Sequence, residues 1–507
     1  MSGTQLNRRM SAQDAWFLYF ETPDAPLHIG SVGIFEGQIP FEKLVASMEA
    51  RMHLIPRYRQ RPMIPPFYAG HPTWEDDPNF RLDRHLRLVT LDPPGTDEQF
   101  VEVVSGDLWT KMLPRDRPLW DITVINGLEG DRTAFLSRVH HCLVDGVSGI
   151  ELLLAVLDLT PNPDPPAPPS EPWKPRPAPN LVQAWTEAVV EQWAQGFRSF
   201  TEAQQNLLDA RAQFRAMTDF TRAIETALPA MFRRPALTNW NRRISNKRRV
   251  AWTEMSFQEV RGIRSRLGGT VNDVMLTLLG GAFGRYLQEH GIVTRGQRLR
   301  FMIPVNVRSE SEQGALGNRV SMMLPEIPLE PMTASERLEA VRAEMETLKG
   351  SQQAGAFESL RRFGDNLPAF FHVMAGMGGV PAGQVNLVCT NVPGPLIPLY
   401  AVGHRMLAHY PMVPLAGDLG VGVGITSYDK GLYLGVMSDP AIVEDVERIR
   451  ELIAEEFQAL RYLADVPTTD LPDFGAIRQR SANGAQERAA PESAAADESA
   501  RVSASPA

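Results

Sequence analysis

The sequence has few cysteines and no surplus of basic residues. Only Cys142 and Cys389 carry thiols among 507 residues, which excludes a disulfide framework and a zinc site built from several cysteines. The 51 lysines and arginines are outnumbered by 60 aspartates and glutamates, giving a formal net charge of -9. General nucleic-acid binders show the opposite imbalance, so nucleic acid is not an expected partner.

Long apolar runs are also missing. The strongest run, residues 274–283, spans about half of the roughly 20 residues that cross a bilayer, and Asp273 and Arg285 flank it. No apolar segment of a secretory signal follows Arg8 and Arg9. We therefore predict a cytoplasmic protein, for which any contact with a membrane is peripheral.

The chain is too long for one hydrophobic core, and a stretch of prolines divides it. Single cores stop growing at roughly 250 to 300 residues. Residues 161–180 contain ten prolines, which block helix and interior strand. We predict an N-terminal lobe over residues 1–160, a proline-rich linker over 161–180, a helical connector over 181–240, a C-terminal lobe over 241–475 and a disordered tail over 476–507.

The pattern after the linker is that of an α/β protein. Residues 181–231 favour a helix, and Trp185, Val189, Trp193 and Phe197 form an apolar stripe at four-residue spacing. Packing of this stripe against the lobes is the favoured interpretation, and a lipid-contacting surface is the alternative. The C-terminal lobe alternates helical segments with strand candidates and closes on an amphipathic helix near residues 446–460. The strand candidates are residues 299–307, 319–324, 385–390, 420–428 and 431–437.

One segment carries catalytic chemistry: His140-His141-Cys-Leu-Val-Asp145-Gly146. It lies where an apolar strand pattern meets a helical pattern. Acyl transfer from a thioester to an alcohol needs a base with a pKa near neutral pH, which takes the hydroxyl proton and returns it to the leaving thiolate. An imidazole can do both. Gly146 permits a sharp turn, and Asp145 can stabilise the loop by pairing inward.

Two alternatives to catalysis are open for the histidine pair. Either histidine can be a satisfied core residue, or His140, His141 and Asp145 can be metal ligands. Successive residues at a strand end point to opposite faces, so the two imidazoles are poorly placed to share one ion. No metal site is therefore expected.

Other catalytic schemes find no support in the sequence. Gly146-Val-Ser148-Gly149 falls one residue short of the Gly-x-Ser-x-Gly elbow of serine hydrolases. Residues 420–424 lack the Gly-x-Gly-x-x-Gly spacing of dinucleotide-binding folds, and no phosphate-binding loop is present. Nucleotide hydrolysis and hydride transfer are not expected.

Several blocks together resemble the bacterial wax ester synthase/diacylglycerol acyltransferase family, whose hallmark is His-His-x-x-x-Asp-Gly. The opening of the chain, with Glu21-Thr-Pro23 and His28-Ile-Gly30, is similar to that of the family. The further blocks, in family order, are Arg117-Pro-Leu-Trp120, Thr270-Val-Asn-Asp-Val274, Pro304-Val-Asn-Val-Arg308, Leu316-Gly-Asn318 and Asn391-Val-Pro-Gly-Pro395.

The resemblance implies a fold and roles for single residues. The implied fold is α/β, with two chloramphenicol-acetyltransferase-like lobes and a tunnel between them. His141 is implied as the general base, His140 as a shaping neighbour, and Asp145 as the structural partner of an arginine, for which Arg308 is the candidate.

The block around Asn272 also has a local interpretation. Thr270 and Asp273 have the spacing of a helix capping box, which places Asn272 in the first turn of the helix. Capping alone explains Thr270 and Asp273. Donor groups at a helix N-terminus can also stabilise an oxyanion, so Asn272 is a candidate for that role or for positioning the substrate.

The function implied is an acyl-CoA-dependent O-acyltransferase that works without an acyl-enzyme. Acyl-CoA is the donor substrate, and a long-chain fatty alcohol or a diacylglycerol is the acceptor, giving a wax ester or a triacylglycerol. No metal and no redox cofactor are expected. The implied lipid substrates and the aromatic stripe predict peripheral contact with the inner membrane or with lipid droplets. The alternatives are an acyltransferase of the same fold with a different donor or acceptor, and a catalytically silent lipid-binding or lipid-droplet protein.

Overall fold

The computed structural model of the protein describes residues 8–143, 153, 156–208, 235–306, 320–350, 369–377 and 384–469. These residues form two large mixed sheets with helices, so the predicted α/β class is confirmed. The predicted tail, residues 476–507, lies outside the described residues.

The strands are β1 (His28–Glu36), β2 (Gln60–Met63), β3 (Thr73–Asp76), β4 (Leu86–Thr90), β5 (Trp120–Leu128), β6 (Arg132–His140), β7 (Arg249–Ser256), β8 (Arg298–Asn306), β9 (Val320–Met323), β10 (Glu326–Pro328), β11 (Leu387–Val392), β12 (Tyr400–Ala401), β13 (His404–Met412), β14 (Val421–Tyr428) and β15 (Gly431–Ser438). The helices are α1 (Ala12–Phe20), α2 (Phe41–Arg51), α3 (Asp97–Val103), α4 (Leu181–Leu208), α5 (Phe257–Leu267), α6 (Val271–Glu289), α7 (Ala334–Gly350), α8 (Ala369–Met377) and α9 (Val446–Leu463).

The first sheet has six described strands in the order β12-β13-β1-β6-β5-β4. β1 and β6 are antiparallel neighbours, in a register that runs from His28 opposite His140 to Glu36 opposite Arg132. Seven of the nine residues of β6 are buried, as expected of an interior strand. The C-terminal end of β6 therefore brings the histidine pair into the interior of the protein.

Strand β13 joins this first sheet although it belongs to the second half of the chain. It pairs antiparallel with β1, with Val32 opposite Tyr410. Met406, Ala408, Tyr410 and Met412 are buried at every second position, which is the period of a strand; between them, Leu407 and Pro411 are partly buried and His409 is buried. This strand is not among those predicted from the sequence, and neither is the sheet that the two halves share.

The second sheet has the order β10-β8-β11-β14-β15-β7, with β9 paired to β8. β11 runs parallel to β8 and β14, and the other pairs are antiparallel. The five strands predicted after the linker correspond to β8, β9, β11, β14 and β15, with ends that differ by at most two residues. The division of the chain into lobes at residue 241 stays a prediction.

Helices α6 and α9 pack together over the second sheet. α6 is apolar almost all round and is buried along most of its length, whereas α9 buries one stripe that includes Val446, Ile449 and Phe457. Complete burial of a side chain such as Phe283 contributes roughly 2 to 3 kcal/mol of hydrophobic stabilisation. The predicted closing amphipathic helix is confirmed.

The proline-rich segment 161–180 contains neither helix nor strand, as predicted. It is nevertheless held against the first half of the chain. The Arg59 guanidinium lies 4.9 Å from the centre of the Trp173 ring, and the backbone N–H of Arg176 donates to Asp76. The segment therefore lies along the surface at β3.

Helix α4 packs through small residues, and the two tryptophans of its aromatic stripe stay exposed, while the side chain of Phe197 lies outside the described residues. Ala184 and Ala188 are buried, whereas Trp185 is 43% and Trp193 78% exposed. Glu187, one turn from Ala184, forms an ion pair with Arg8. The favoured interpretation of the stripe, packing against the lobes, is therefore wrong for these two tryptophans, which face solvent.

Within the described part of the chain, no helix combines the length and the apolar character that a membrane span requires.

Candidate active site

The histidine pair is anchored by two neighbouring segments of backbone. The His140 N–H donates to the carbonyl of Leu119 at 2.9 Å, and the His141 N–H donates to the carbonyl of Leu27 at 2.9 Å. Leu119 comes directly before β5 and Leu27 directly before β1. The turn that follows β6 is thus fixed from both sides, which limits the positions that the two imidazoles can take.

The imidazole of His141 stacks face to face on the ring of Phe17. The ring centres lie 3.8 Å apart and the planes differ by 5°. Phe17 belongs to α1, whose first turn is capped by Ser11, which accepts from the Asp14 N–H at 3.0 Å. Both rings are half-buried. Stacking fixes the plane of the imidazole.

The neighbouring imidazole, His140, is completely buried and has different neighbours. Its Nδ1 accepts from the Cys142 N–H at 3.2 Å, and its Nε2 lies 3.3 Å from Glu21 Oε2. Because Nδ1 accepts, the proton of a neutral ring is on Nε2, the nitrogen on the side of Glu21. The two adjacent histidines therefore face different groups.

Glu21 is a buried carboxylate with several donors around it. Its Oε1 accepts from the Leu27 N–H at 3.0 Å, and its Oε2 accepts from Arg115 at 2.9 Å. Burial by itself raises the pKa of Glu21, but the contacts with His140, Arg115 and the Leu27 N–H outweigh burial and lower the pKa to about 2. Glu21 is therefore ionised at neutral pH.

Further buried side chains next to His140 support the end of β6. His28 is completely buried opposite His140, and Trp109 meets its ring edge-on at 4.5 Å. Burial, and next the charge of Arg138, lowers the pKa of His28 well below its ordinary value, so it stays neutral. Arg138 binds Asp121 through two hydrogen bonds of 2.9 and 2.6 Å.

The strand β1 approaches β6 closely at Gly30. A Cβ atom at Gly30 would lie 2.2 Å from the carbonyl oxygen of Ser137 and 2.8 Å from the ring of Trp109. Because real Cβ contacts are never this short, only glycine fits there. This contact explains the glycine of the His28-Ile-Gly30 block.

A group of polar aromatic side chains joins α1 to α8. Trp16 Nε1 donates to His372 Nδ1, and the Tyr19 hydroxyl lies 3.2 Å from His71 Nδ1. The His71 and His372 rings are 5.2 Å apart. Burial, followed by the nearby His372 and Arg9, lowers the pKa of His71 to about 4. α8 is thus held against the helix that carries Phe17.

The capping box predicted at α6 is confirmed. Asp273 N donates to Thr270 Oγ1 at 3.2 Å, and the Thr270 N–H donates to Asp273 Oδ2 at 2.8 Å. Asn272 lies half-buried in the first turn, as predicted. These bonds account for Thr270 and Asp273 without catalysis, and the part that Asn272 plays stays a prediction.

The turn in the block Asn391–Pro395 is explained by local packing. The Gly394 N–H donates to Ser427 Oγ at 3.1 Å, and a Cβ at Gly394 would lie 2.1 Å from the Ser427 carbonyl oxygen. Trp120 is likewise buried, and its indole donates to the carbonyl of Tyr58 at 2.9 Å.

The other predicted site residues, Asp145, Gly146 and Arg308, lie outside the described residues. Among the described residues, no cluster of three or more histidine, cysteine or acidic side chains is suited to hold a metal ion. A cavity of about 700 Å³ lies between the N-terminal segment and α4, and its lining includes Arg9 and Glu191 but not His141. The tunnel implied by resemblance stays a prediction.

The sequence predicts the two histidines as site residues but not Phe17, Glu21 and Arg115. Phe17 and Glu21 lie in the opening that resembles the family, so a signal is present for them. Arg115 precedes the Pro-Leu-Trp element and has no signal of its own. Their role depends on α1 folding back onto the end of β6, which no local pattern reveals.

Comparison with known proteins gives matches along most of the chain. The description "Wax ester synthase/diacylglycerol acyltransferase catalytic domain" matches residues 10–275, and "WS/DGAT C-terminal domain" matches residues 316–461. The chain is 31% identical over 449 residues to the probable diacylglycerol O-acyltransferase tgs1 of Mycobacterium tuberculosis, covering 87% of this chain and 93% of that protein. It is 28% identical to the O-acyltransferase WSD of Acinetobacter baylyi, covering 88% and 95%.

Solved structures with the same fold include proteins of two kinds. The wax ester synthase/diacylglycerol acyltransferase of Marinobacter aquaeolei matches with a TM-score of 0.64 at 22% identity, over 90% of this chain and all of that one. A mutant of the starter condensation domain of rhizomide synthetase, in complex with C8-CoA and Leu-SNAC, matches with a TM-score of 0.56 at 14% identity, over 94% and 98%. These matches confirm the expected fold of paired α/β units.

Proposed function

The chain belongs to the wax ester synthase/diacylglycerol acyltransferase family of O-acyltransferases, and we propose that it transfers a fatty acyl group from acyl-CoA to a long-chain alcohol or a diacylglycerol. His141 is the general base of this reaction. The products are a wax ester or a triacylglycerol, together with free CoA.

The transfer takes place in one encounter of the two substrates. His141 removes the proton of the acceptor hydroxyl, whose oxygen attacks the thioester carbonyl carbon. The carbon–sulfur bond of the tetrahedral intermediate then breaks, and the imidazolium gives its proton to the departing thiolate. The base is regenerated, and no group remains on the protein.

The observation that carries this proposal is the contrast between the two histidines. His140 is completely buried, with Cys142 and Glu21 at its two nitrogens, so it has no room for a substrate. His141 is half-buried, and its ring is held flat against Phe17. Of the pair, His141 is the imidazole that a substrate can reach in a fixed orientation, which is what general-base catalysis requires.

Cys142 is the nearest alternative nucleophile, and its environment opposes that role. It is 1% exposed, and burial together with the nearby Asp14 and Glu21 raises the pKa of its thiol well above the ordinary value. A buried thiol of high pKa is unreactive. This supports direct transfer without an acyl-enzyme.

The proposed donor and acceptor agree with what is known of proteins with this fold. The relatives in Mycobacterium and Acinetobacter are named as diacylglycerol O-acyltransferase and O-acyltransferase. The starter condensation domain, which has the same fold, holds C8-CoA. An acyl-CoA donor and a lipid alcohol acceptor therefore suit this chain.

An exposed apolar surface next to the site supports contact with a lipid surface. We call it the apolar rim. Helices α4 and α8 both contact the turn at residues 66–68, and α8 also packs on α1, which carries Phe17. Most of its members are 43–90% exposed, with Phe67 at the upper end. The apolar rim consists of Trp16, Phe67, Tyr68, Trp185, Trp193, Phe370, Phe371 and Met374.

The occupant that fits the apolar rim is a neutral or zwitterionic lipid surface. Tryptophan and phenylalanine side chains prefer the boundary between water and lipid. The net charge of -9 gives little attraction to anionic headgroups. Lipid alcohols dissolve in such a surface, so an enzyme docked there has its acceptor at hand. A peripheral position at a membrane or lipid droplet follows.

The decisive experiment measures thiol release from palmitoyl-CoA, with hexadecanol, dipalmitoylglycerol or no acceptor, and detects the ester product by mass spectrometry. Wild-type protein is expected to release CoA only with an acceptor, and His141→Ala is expected to lose roughly 100-fold or more of this rate. His53→Ala replaces a half-buried histidine outside the site and keeps the rate.

Three results would contradict the proposal. Full activity of folded His141→Ala would remove His141 from the mechanism. Absence of release by the wild type with every acceptor, while the protein still floats with lipid, would favour a catalytically silent lipid-binding protein. Release without an acceptor would instead indicate thioester hydrolysis.

A further inference from the structure

Glu21 connects the two sides of the turn that carries His141. It follows the last residue of α1, and its side chain is completely buried. Through Oε1 it accepts the Leu27 N–H, and the Leu27 carbonyl in turn accepts the His141 N–H. Through Oε2 it faces His140, whose Nδ1 accepts the Cys142 N–H. The backbone N–H groups of His141 and Cys142 are therefore both linked to the Glu21 carboxylate. The link to His141 runs through the backbone of Leu27, and the link to Cys142 runs through the imidazole of His140.

Glu21 is also linked to the ring that stacks on His141. The Glu21 N–H donates to the carbonyl of Phe17 at 3.2 Å and ends α1 at this point. Arg115, which donates to Glu21, donates to the Leu18 carbonyl from the same Nη2 atom. The end of α1 and the end of β6 thus meet at this carboxylate.

A carboxylate suits this position better than an amide of the same size. Two donors bind it, the Leu27 N–H and the Arg115 guanidinium, and the Nε2 atom of His140 lies 3.3 Å from its Oε2. A carboxylate is acceptor-only and can serve all three, whereas a carboxamide has one acceptor oxygen and one donor group. With an amide, at least one buried donor faces another donor, which destabilises the arrangement.

We propose that Glu21 is a positioning residue for the acyl transfer: it holds His140 with its proton on Nε2 and thereby fixes the turn that presents the His141 imidazole to the substrates. Glu21 touches neither substrate. The inference rests on the proposed function, because His141 is the base whose position it determines.

The first test is kinetic and compares Glu21→Gln, Glu21→Asp and Asp97→Asn. Asp97 is a suitable control because it is a largely buried carboxylate paired with Arg132, at the opposite end of β6. That end is roughly 26 Å from His140 along the strand. Glu21→Gln is expected to lower kcat roughly 10- to 100-fold and to leave KM for palmitoyl-CoA within about twofold, because misplacing a catalytic group affects the chemical step. Glu21→Asp, one methylene shorter, regains part of the rate, and Asp97→Asn keeps it.

A second test does not depend on activity. The tautomer of His140 is read from the nitrogen chemical shifts of ¹⁵N-histidine-labelled protein, with His140→Gln used for assignment. The wild type and Asp97→Asn show the Nε2–H form, and Glu21→Gln shows a changed ratio of tautomers. A wild-type ring with its proton on Nδ1 would overturn the inference whether or not the protein is active.

A third readout is the dependence of stability on pH. A carboxyl group whose pKa falls from 4.5 to about 2 on folding stabilises the protein above pH 4.5, and this stabilisation is lost as the pH falls towards 2. The free energy of unfolding of the wild type therefore falls more steeply between about pH 5 and about pH 3 than that of Glu21→Gln.

The outcomes separate this inference from the proposed function. Unchanged kcat in folded Glu21→Gln refutes the inference and leaves His141 as the base. Equal losses in Glu21→Gln and Asp97→Asn would mean general structural support only. Full activity of His141→Ala refutes the proposed function itself, and the tautomer measurement then still decides whether Glu21 holds His140.

Discussion

At the scale of single residues, the stack of Phe17 on His141 is the contact closest to the chemistry. A planar ring against a planar imidazole restricts rotation about the side-chain bonds of the histidine without occupying its nitrogens. The entropy of orienting the base is thus lost during folding and not during each turnover. In the proposed mechanism, the contact also makes α1 part of the active site.

We predict that Phe17→Leu lowers kcat by about tenfold, because leucine fills part of the volume but gives no flat surface for the imidazole. The measurement is steady-state release of CoA from palmitoyl-CoA with hexadecanol. Stability should fall by only about 1 kcal/mol, because both side chains are apolar.

The matched control is Phe80→Leu. Phe80 stacks on His85 at 5.4 Å in the same half of the chain, so Phe80→Leu removes the same kind of stack from a histidine that the proposed mechanism does not use. It should lose similar stability and keep its kcat. Equal kinetic effects of the two substitutions would show that the loss comes from general loosening and not from the stack on His141.

Some residues of the site can be recognised from a local sequence pattern, whereas others meet the site only in the folded protein. His140 and His141 are adjacent and carry a rare pattern, so they are found directly. Phe17 and Glu21 are separated from them by about 120 residues of chain, and their contacts exist only after β1 has paired with β6. Helical spacing in α1 predicts an apolar face but not the histidine that meets it.

At the scale of elements, the first turn of α6 is the clearest case of a local signal that the structure confirms. Thr270 and Asp273 satisfy each other's backbone N–H groups, as their spacing predicts. Asn272 lies in that same turn. If Asn272 positions a substrate or the oxyanion, its orientation depends on this cap.

We predict that Thr270→Ala lowers the free energy of unfolding by about 1 kcal/mol, because one capping hydrogen bond is lost. Urea unfolding measures this change. Because the first turn of α6 frays without its cap, Thr270→Ala should also lower kcat.

Thr333→Ala is the control for the cap. Thr333 and Glu336 make the same reciprocal bonds at the start of α7, on the surface. Similar losses of stability with a lower kcat only for Thr270→Ala would support the role proposed for Asn272. A kcat of Thr270→Ala equal to that of Thr333→Ala would argue against it.

The pairing of strand β13 with β1 cannot be recognised from the sequence of β13 alone. Its alternation is visible in the sequence, yet arginine, histidine and proline side chains interrupt the apolar pattern. Nothing within residues 404–412 indicates that they pair with β1, about 370 residues earlier. The five strands predicted after the linker are more continuously apolar, and their prediction is correct.

At the scale of the whole molecule, the apolar rim lies on elements from distant parts of the chain. The turn at residues 66–68 has left-handed backbone at Phe67 and Tyr68, with φ of 56° and 51°. Such backbone costs on the order of 1 kcal/mol or more for each residue that is not glycine. A strained turn that exposes 90% of a phenylalanine suits contact with an apolar partner.

We predict that the double variant Phe67→Ser, Trp193→Ser binds phosphatidylcholine-coated triolein droplets at least about tenfold more weakly than the wild type. Each of these side chains contributes roughly 1 to 2 kcal/mol when it enters lipid, and 1.4 kcal/mol corresponds to a factor of ten. Flotation through a density gradient measures the bound fraction.

The control variant carries Val293→Ser and Tyr462→Ser, which replace side chains that are 72% and 89% exposed outside the apolar rim. It should float like the wild type. Addition of anionic lipid should change binding little. If the two double variants float equally well, the apolar rim is not the surface that contacts lipid.

β13 comes from the second half of the chain and pairs with β1 from the first half, and this pairing has a consequence for biosynthesis. The ribosome adds 264 residues between the end of β6 at residue 140 and the start of β13 at residue 404. At about 5 to 20 residues per second, this interval lasts roughly 13 to 53 s. During that time the backbone of β1 has no partner on one side, and an open strand edge readily pairs with other nascent chains. The sheet that carries the histidine pair is therefore completed late in translation. An N-terminal fragment that contains the histidine pair but not β13 lacks the strand that pairs with the open edge of β1.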